Sequence, residues 1–248
     1  MKMVYNNNDQ ANKNIKYNIM IKYIQGDIHE VIKTLDDNSI DFIYTDPPFA
    51  TTKAKWDKPL KWAELFNEMW RVLKPNGTIA LHSAIPFSYD LMKYEKPKYN
   101  YNWKKNNSTG FFQAKYQPLR NMEEIYIYYK NRGTYNPQMI GDKVYKKRNV
   151  KYGGKNAYWG QDGVNKKNEY NEKEGHIGKY PTTYLEYPIR KDNSGITRCD
   201  DMIDYFIKTY SNKDDTILDM TANYNYVGKR CNELQRNYIG VDLLEIKI

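Results

Sequence analysis

The sequence predicts a doubly wound α/β domain built on a mostly parallel sheet. Three observations carry that expectation. Short, near-continuous apolar runs such as "IDFIYTD" alternate with segments of helical period. Several of these runs end in an acid, at Asp27, Asp46, Asp219 and Asp242. The chain, at 248 residues, is long enough for one such domain with a smaller inserted lobe.

Taken in order, residues 1–18 are polar and Asn-rich without periodicity, and are expected to form a disordered or loosely docked tail. Residues 19–130 form the first half of the domain. There "KYIQGD" is a strand, "IHEVIKTL" a helix and "IDFIYTD" a second strand. In "LKWAELFNEMWRVLKPNG" the residues Trp62, Leu65, Phe66, Met69, Val72 and Leu73 recur at helical spacing, and Lys-Pro-Asn-Gly breaks the helix. "TIALHS" follows as a buried strand; "YNYNWKK" and "EEIYIYYK" are two later strands separated by a polar loop. Residues 131–187 shift to Lys, Asn, Tyr and Gly with little apolar period, which marks an insertion. Residues 188–248 return to order: Met202, Ile203, Phe206, Ile207 and Tyr210 line one face of a helix behind an Asp200 cap. The strand "TILD", the helix "VGKRCNELQ" and the strand "NYIGVD" complete the pattern.

Bulk properties narrow the partners. Formal charge is +9, which favours a polyanion, although Lys, Asn, Ile and 25 tyrosines also fit an AT-rich coding bias. No apolar run approaches the roughly 20 residues of a membrane span, so a soluble, intracellular protein of bacterial, phage or viral origin with no membrane partner is expected. Cys199 and Cys231 show no metal-like spacing, so no metal site is expected.

The chemistry concentrates in "TDPPFATTKAKWD". Consecutive prolines cannot continue a sheet ladder or a helix, so the strand stops at Asp46 and holds it rigidly. A rigid carboxylate, the Pro47 carbonyl and the Phe49 ring suit a planar base: two acceptors for an exocyclic amine and a face to stack on. Accepting both N–H groups off the ring plane favours pyramidal nitrogen and frees its lone pair. Cytosine C5 chemistry needs a nucleophilic cysteine in a context that "TRCD" and "KRCN" do not supply. A dinucleotide-binding dehydrogenase would want a glycine fingerprint where "GDIHEV" stands.

"TDPPF" resembles the catalytic tetrapeptide of amino-group DNA methyltransferases. The blocks "GDIHEVIKTLDDNSIDFIYTDPPF", "WRVLKPNGTI", "KNNSTGFFQAKYQPLRNMEEIYIYYK" and "DYFIKTYSNKDDTILD" resemble the β class of that family, phage and bacterial type, from about Tyr23 onward. The resemblance implies a seven-stranded Rossmann-like sheet and methyl transfer from S-adenosylmethionine to DNA, preferably to adenine N6 because Asp precedes Pro-Pro. It implies Asp46, Pro47, Pro48 and Phe49 at the target base. It also implies Asp27, Thr197, Asp219, Thr221, Asn223 and Asp242 around the cofactor, with target recognition in 131–187. DNA is the implied partner, with a homodimer or a partner methyltransferase subunit in addition.

Two departures fall on the cofactor side. A family loop resembling D-x-x-x-G-S-G-T-T-G reads "DMTANYNYVG" here, with Asn223 and Asn225 at glycine positions and Tyr224 and Tyr226 at small hydroxyl positions. The T-x-K-P segment reads "TRCD". Two readings therefore stand: an enzyme with a rebuilt cofactor loop, or a catalytically silent fold that binds DNA or a partner. His82, Trp56 and Trp103 are expected to be structural, and "KVYKKRNVKYGGK" is expected to contact DNA.

Overall fold

The computed structural model describes residues 2–5, 19–145, 176–192 and 195–245. In chain order the strands are β1 (Lys2–Tyr5), β2 (Ile21–Gln25), β3 (Ile40–Thr45), β4 (Leu73–Ser83), β5 (Tyr99–Thr109), β6 (Arg120–Tyr128), β7 (Ile140–Tyr145), β8 (His176–Lys179), β9 (Tyr184–Glu186), β10 (Ile189–Asp192), β11 (Gly195–Arg198), β12 (Thr216–Asp219) and β13 (Asn237–Asp242). The helices are α1 (Ile28–Val31), α2 (Trp62–Val72), α3 (Phe87–Met92), α4 (Asp200–Tyr210) and α5 (Tyr226–Glu233).

Residues 1–136 and 182–248 form one compact unit. Among the described residues its sheet has nine strands in the order β1-β2-β13-β12-β3-β4-β6-β5-β9. The inner seven, β2 to β5, are parallel except β6, which runs antiparallel to both neighbours. Strand order reverses between β12 and β3, and it is beside such a switch point that loops diverge to leave a crevice.

Both faces are covered, which explains why β3 reads as unbroken apolar sequence. Ile40 and Ile43 point to a cluster shared with α1, α2 and α3; Phe42 and Tyr44 point to a second cluster shared with α4. On α2 the residues Trp62, Leu65, Phe66, Met69 and Val72 are buried, and on α4 all five expected face residues are buried. Fully burying a side chain of this kind stabilises by roughly 1.5–3 kcal/mol, so these stripes fix each helix to its layer. Among the described residues no helix is long and apolar enough to cross a membrane.

Four expectations need correction. Residues 2–5 are not loose tail: they pair antiparallel with β2 at the sheet edge, while the rest of 1–18 lies outside the described residues. Cys199, not Asp200, is the N-cap of α4; Asp200 is its first residue and ion-pairs Arg190. Trp56 is 68% exposed rather than packed. Trp103 is buried as expected, its indole N–H donating to the Tyr187 carbonyl at 2.8 Å. The separate compact unit is residues 137–181, narrower than the expected 131–187, because Tyr184–Glu186 pairs with β5. In that small unit β7 and β8 pair antiparallel and Tyr145 stacks on His176. Most of the basic run beyond Tyr145 lies outside the described residues.

Candidate active site

Parallel strands deliver their carboxyl ends to one edge, and β3, β12, β13 and β2 end there in Asp46, Asp219, Asp242 and Asp27 with the turns that follow. The Asp46 turn is fastened from two sides. Thr221, on the loop after β12, donates its hydroxyl to the Asp46 carbonyl at 3.0 Å and lies 3.0 Å from the Thr45 hydroxyl. Pro47 is buried, and Phe49 stacks on Phe87 with centroids 5.0 Å apart and planes 18° apart.

Beyond Phe49 the loop is wrapped around Asp57, which the sequence reading did not single out. Its buried carboxylate accepts from the backbone N–H groups of Ala50, Thr51 and Thr52 at 2.6, 2.9 and 2.6 Å. Burial alone would raise this carboxyl, but the bonds to Thr52, Ala50 and Thr51 outweigh it and hold it below the usual range. The signal available in sequence was an acid closing a polar turn, which has many other uses.

The three cofactor-side acids each hold a turn. Asp27 caps α1 by accepting from His29 N–H at 2.9 Å. Asp219, 4% exposed, accepts from Thr221 N–H at 3.1 Å and from the Tyr238 hydroxyl at 3.3 Å. Asp242 accepts from Asn223 N–H and Leu244 N–H, each at 2.9 Å. Capping does not exhaust a carboxylate, which offers about four lone-pair directions.

The divergent loop keeps the turn that glycines would have made. Asn223 and Asn225 adopt φ of 44° and 60°, the left-handed region that asparagine tolerates best among residues with a Cβ. Gly228 remains because α5 packs closely: a Cβ there would meet the Tyr23 hydroxyl at 2.8 Å. Tyr226 packs against the α4-side cluster with the Arg190 guanidinium 4.8 Å from its ring centroid, and Tyr224 lies beside it at 6.3 Å. Arg190 pairs across the β10–β11 hairpin with Thr197, so the two divergent segments meet at Arg190 and Tyr226. The side chain of Thr197 itself lies outside the described residues.

A second row of polar side chains follows from strand register. Thr45 pairs with Leu81, so Asp46 comes beside His82; His82 pairs with Ile125 and Glu123 with Trp103. Period-2 alternation then puts Asp46, His82, Glu123 and Lys105 on the α4 face of four adjacent strands. His82 is fully buried, with Nδ1 2.8 Å from Glu123 Oε1 and Nε2 3.1 Å from the Tyr44 hydroxyl. Lys105 Nζ donates to Glu123 Oε2 at 3.0 Å. Burial opposes charge on Glu123, but His82 and Lys105 outweigh it and hold the carboxyl below its usual range. Sequence reasoning noted His82 as structural and missed Glu123 and Lys105.

Comparison with known proteins places this geometry. A family model described as DNA methylase, of the N6/N4 type, matches residues 40–247. Type II methyltransferase M.HpaI of Haemophilus parainfluenzae is 24% identical over 230 residues, 86% of this chain and 67% of that protein. M2.MboI of Moraxella bovis is 24% identical over 245 residues, covering 88% and 81%. M.BamHI of Bacillus amyloliquefaciens is 25% identical, and there the match spans 58% of the relative's length. Among solved structures, the PvuII DNA methyltransferase (cytosine-N4-specific) superposes with TM-score 0.61 at 12% identity, over 90% of this chain and 82% of that one. The M1.HpyAVI–SAM complex superposes with TM-score 0.56 at 18% identity, over 91% and 94%. These last two establish the fold. The chain belongs to the N6/N4 family of DNA methylases, whose methyl donor is S-adenosylmethionine. The residues present fit that donor: the left-handed turn survives on asparagines, and acids stand at the ends of the adjacent strands β12 and β13.

Proposed function

We propose that the chain methylates the exocyclic N6 of adenine in DNA, with Asp46, Pro47, Pro48 and Phe49 as the target-base site. The observation that carries the reading is the intact Asp46 turn tied by Thr221 to the loop that follows β12. A reaction between a base and a donor held on neighbouring strands needs those two loops fixed to each other within a fraction of an ångström.

S-adenosylmethionine, when bound, supplies an activated methyl group on a positively charged sulfur. Asp242 is suited to the ribose hydroxyls, Asp27 to the adenine end, and Asp219, Thr221 and Asn223 to the methionine side. Asp46 and the Pro47 carbonyl accept the two amine hydrogens, and Phe49 extends its stack with Phe87 onto the base. The base leaves the duplex first, at a cost of a few kcal/mol.

Two exposed loops at the same edge suit the flanking DNA. Residues 50–61 carry Lys53, Lys55, Trp56, Lys58 and Lys61, and their one acid, Asp57, is buried. Residues 105–120 contain no acid and display Phe111, Phe112 and Tyr116, with Phe112 fully exposed after a left-handed turn at Gly110. Basic residues interleaved with exposed aromatics match a phosphate backbone and unstacked bases.

The competing reading, a silent methyltransferase fold, draws on Tyr224 and Tyr226 in the donor loop. Calorimetric titration with S-adenosylmethionine decides between them. The enzyme reading expects micromolar binding, together with label transfer to mixed-sequence DNA that disappears in Asp46→Ala. Absence of donor binding supports the silent fold.

A further inference from the structure

The row Lys105, Glu123, His82, Asp46 contains three residues that take no part in the target-base or donor roles assigned above. Its inner members are a fully buried imidazole and a carboxylate, and the donor atoms of Asp46, His82 and Glu123 lie within 4.8 Å of one another. A buried ionisable network costs stability unless it is fully paired, so its placement directly behind the base-binding acid calls for a functional account.

We propose that Lys105, Glu123 and His82 are positioning residues for Asp46: they hold it as an oriented, ionised acceptor and give it, at His82, an outlet for the proton that the methylated amine must shed. This inference rests on methyl transfer to an amine at Asp46. After transfer the nitrogen carries one proton too many. That N–H bond breaks as an O–H bond forms on Asp46; the O–H then breaks as an N–H bond forms at His82 Nε2, with the Tyr44 hydroxyl turning from donor to acceptor there while Nδ1–H stays on Glu123. The product is left as a neutral amine, Asp46 is again a carboxylate, and the imidazolium faces Glu123. No electrons change hands.

The surroundings of His82 fit this task. Glu123 from β6 sits at Nδ1, Tyr44 from β3 at Nε2, and the rings of Trp103 from β5 and Phe206 from α4 close the sides. The Tyr44 hydroxyl can donate to a neutral ring or accept from a charged one, so either state keeps its hydrogen bonds. Lys105 balances Glu123, so a proton arriving at His82 meets one acid and one base already paired. The same three donors, Asp46, His82 and Glu123, could be taken for a divalent-metal site. The Lys105 ammonium on Glu123 and the bonds at both ring nitrogens argue for protons instead, because a metal ion would have to displace all three.

The test uses His82→Asn, Glu123→Gln and Lys105→Met/Glu123→Gln in the full chain, with single-turnover methylation, KM for donor and DNA, melting, and imidazole nitrogen NMR. The chain has three histidines, so the His82 signals can be assigned by difference against His82→Asn. Expected results are a transfer rate lowered about 10-fold or more with both KM values unchanged, and a pH–rate profile altered in each variant. The double variant restores charge balance and melting but not rate. In the NMR arm, which needs no donor, Asp46→Asn shifts the His82 ring-nitrogen signals. Wild-type rates in folded His82→Asn and Glu123→Gln, or His82 signals blind to Asp46→Asn, overturn the inference while leaving the methyltransferase reading intact. Activity lost to a chelator and restored by zinc overturns it in favour of a metal. If a variant fails to fold, the NMR comparison of wild type with Asp46→Asn decides alone. A wild-type protein without methyl transfer defeats the underlying reading instead.

Discussion

The Thr221 side-chain hydroxyl donates to the backbone carbonyl of Asp46 across 175 positions of sequence, at 3.0 Å. It also contacts the Thr45 hydroxyl, so a single side chain joins the Asp46 turn after β3 to the loop after β12.

Thr221→Val keeps the shape and deletes both bonds. Loss of one part-buried hydrogen bond with its acceptor left unpaired costs about 1–3 kcal/mol of stability. The transfer rate at saturating donor should fall further than folding accounts for, by about 10-fold, because alignment is lost in addition to any donor affinity that Thr221 supplies on the methionine side. Chemical denaturation and single-turnover kinetics check the two halves. A rate loss explained by KM alone would show that the link serves binding.

Asp57 controls the loop behind Phe49. Asp57→Ala leaves three backbone donors unpaired and should destabilise by about 2 kcal/mol, read by urea denaturation. Its folded-state carboxyl sits below its ordinary 3.8, so its contribution is fully present above that value and fades as pH falls through the lower folded value. Wild type should therefore lose stability on acidification below about pH 4 more steeply than Asp57→Asn.

The positive-φ asparagines give a pair of predictions that differ in size. Asn225→Val forces a β-branched residue into φ of 60° and should cost about 1–2 kcal/mol or more. Asn223→Gly suits φ of 44° on an exposed residue and should change stability by less than about 0.5 kcal/mol. Thermal melts of both variants, run with and without S-adenosylmethionine, check this. Equal destabilisation by both would mean that backbone conformation is not what these side chains supply.

Phe111 and Phe112 make a surface prediction. Phe112 is fully exposed and Phe111 mostly so, hence replacing both by Ala should leave melting unchanged. Duplex affinity should fall about 10-fold or more, since a stacked base contributes about 1–3 kcal/mol. The salt dependence should keep its slope, because no cation is removed. Fluorescence anisotropy over a salt series measures both quantities.

Much of this architecture could be read in the sequence, and for physical reasons. The α2 stripe and the two-faced runs of β3 and β4 are burial patterns, and burial is what side-chain chemistry encodes most directly. The Asp46 turn was legible because two prolines leave the backbone few choices. What escaped depends on pairing between distant segments. Nothing in "KMVY" announces an edge strand without β2 beside it. Glu123 and Lys105 look like the solvent face of their strands until β4 supplies His82. Residue type alone makes Trp56 look structural, whereas its exposure is set by the loop that Asp57 closes.

The most direct test of the central claim is nucleoside mass spectrometry of mixed-sequence DNA after incubation with the full chain and S-adenosylmethionine. The account expects N6-methyladenine from the wild type and none from Asp46→Ala at matched folding. N4-methylcytosine in its place, or no methylated nucleoside from a wild type that binds both donor and DNA, would contradict it.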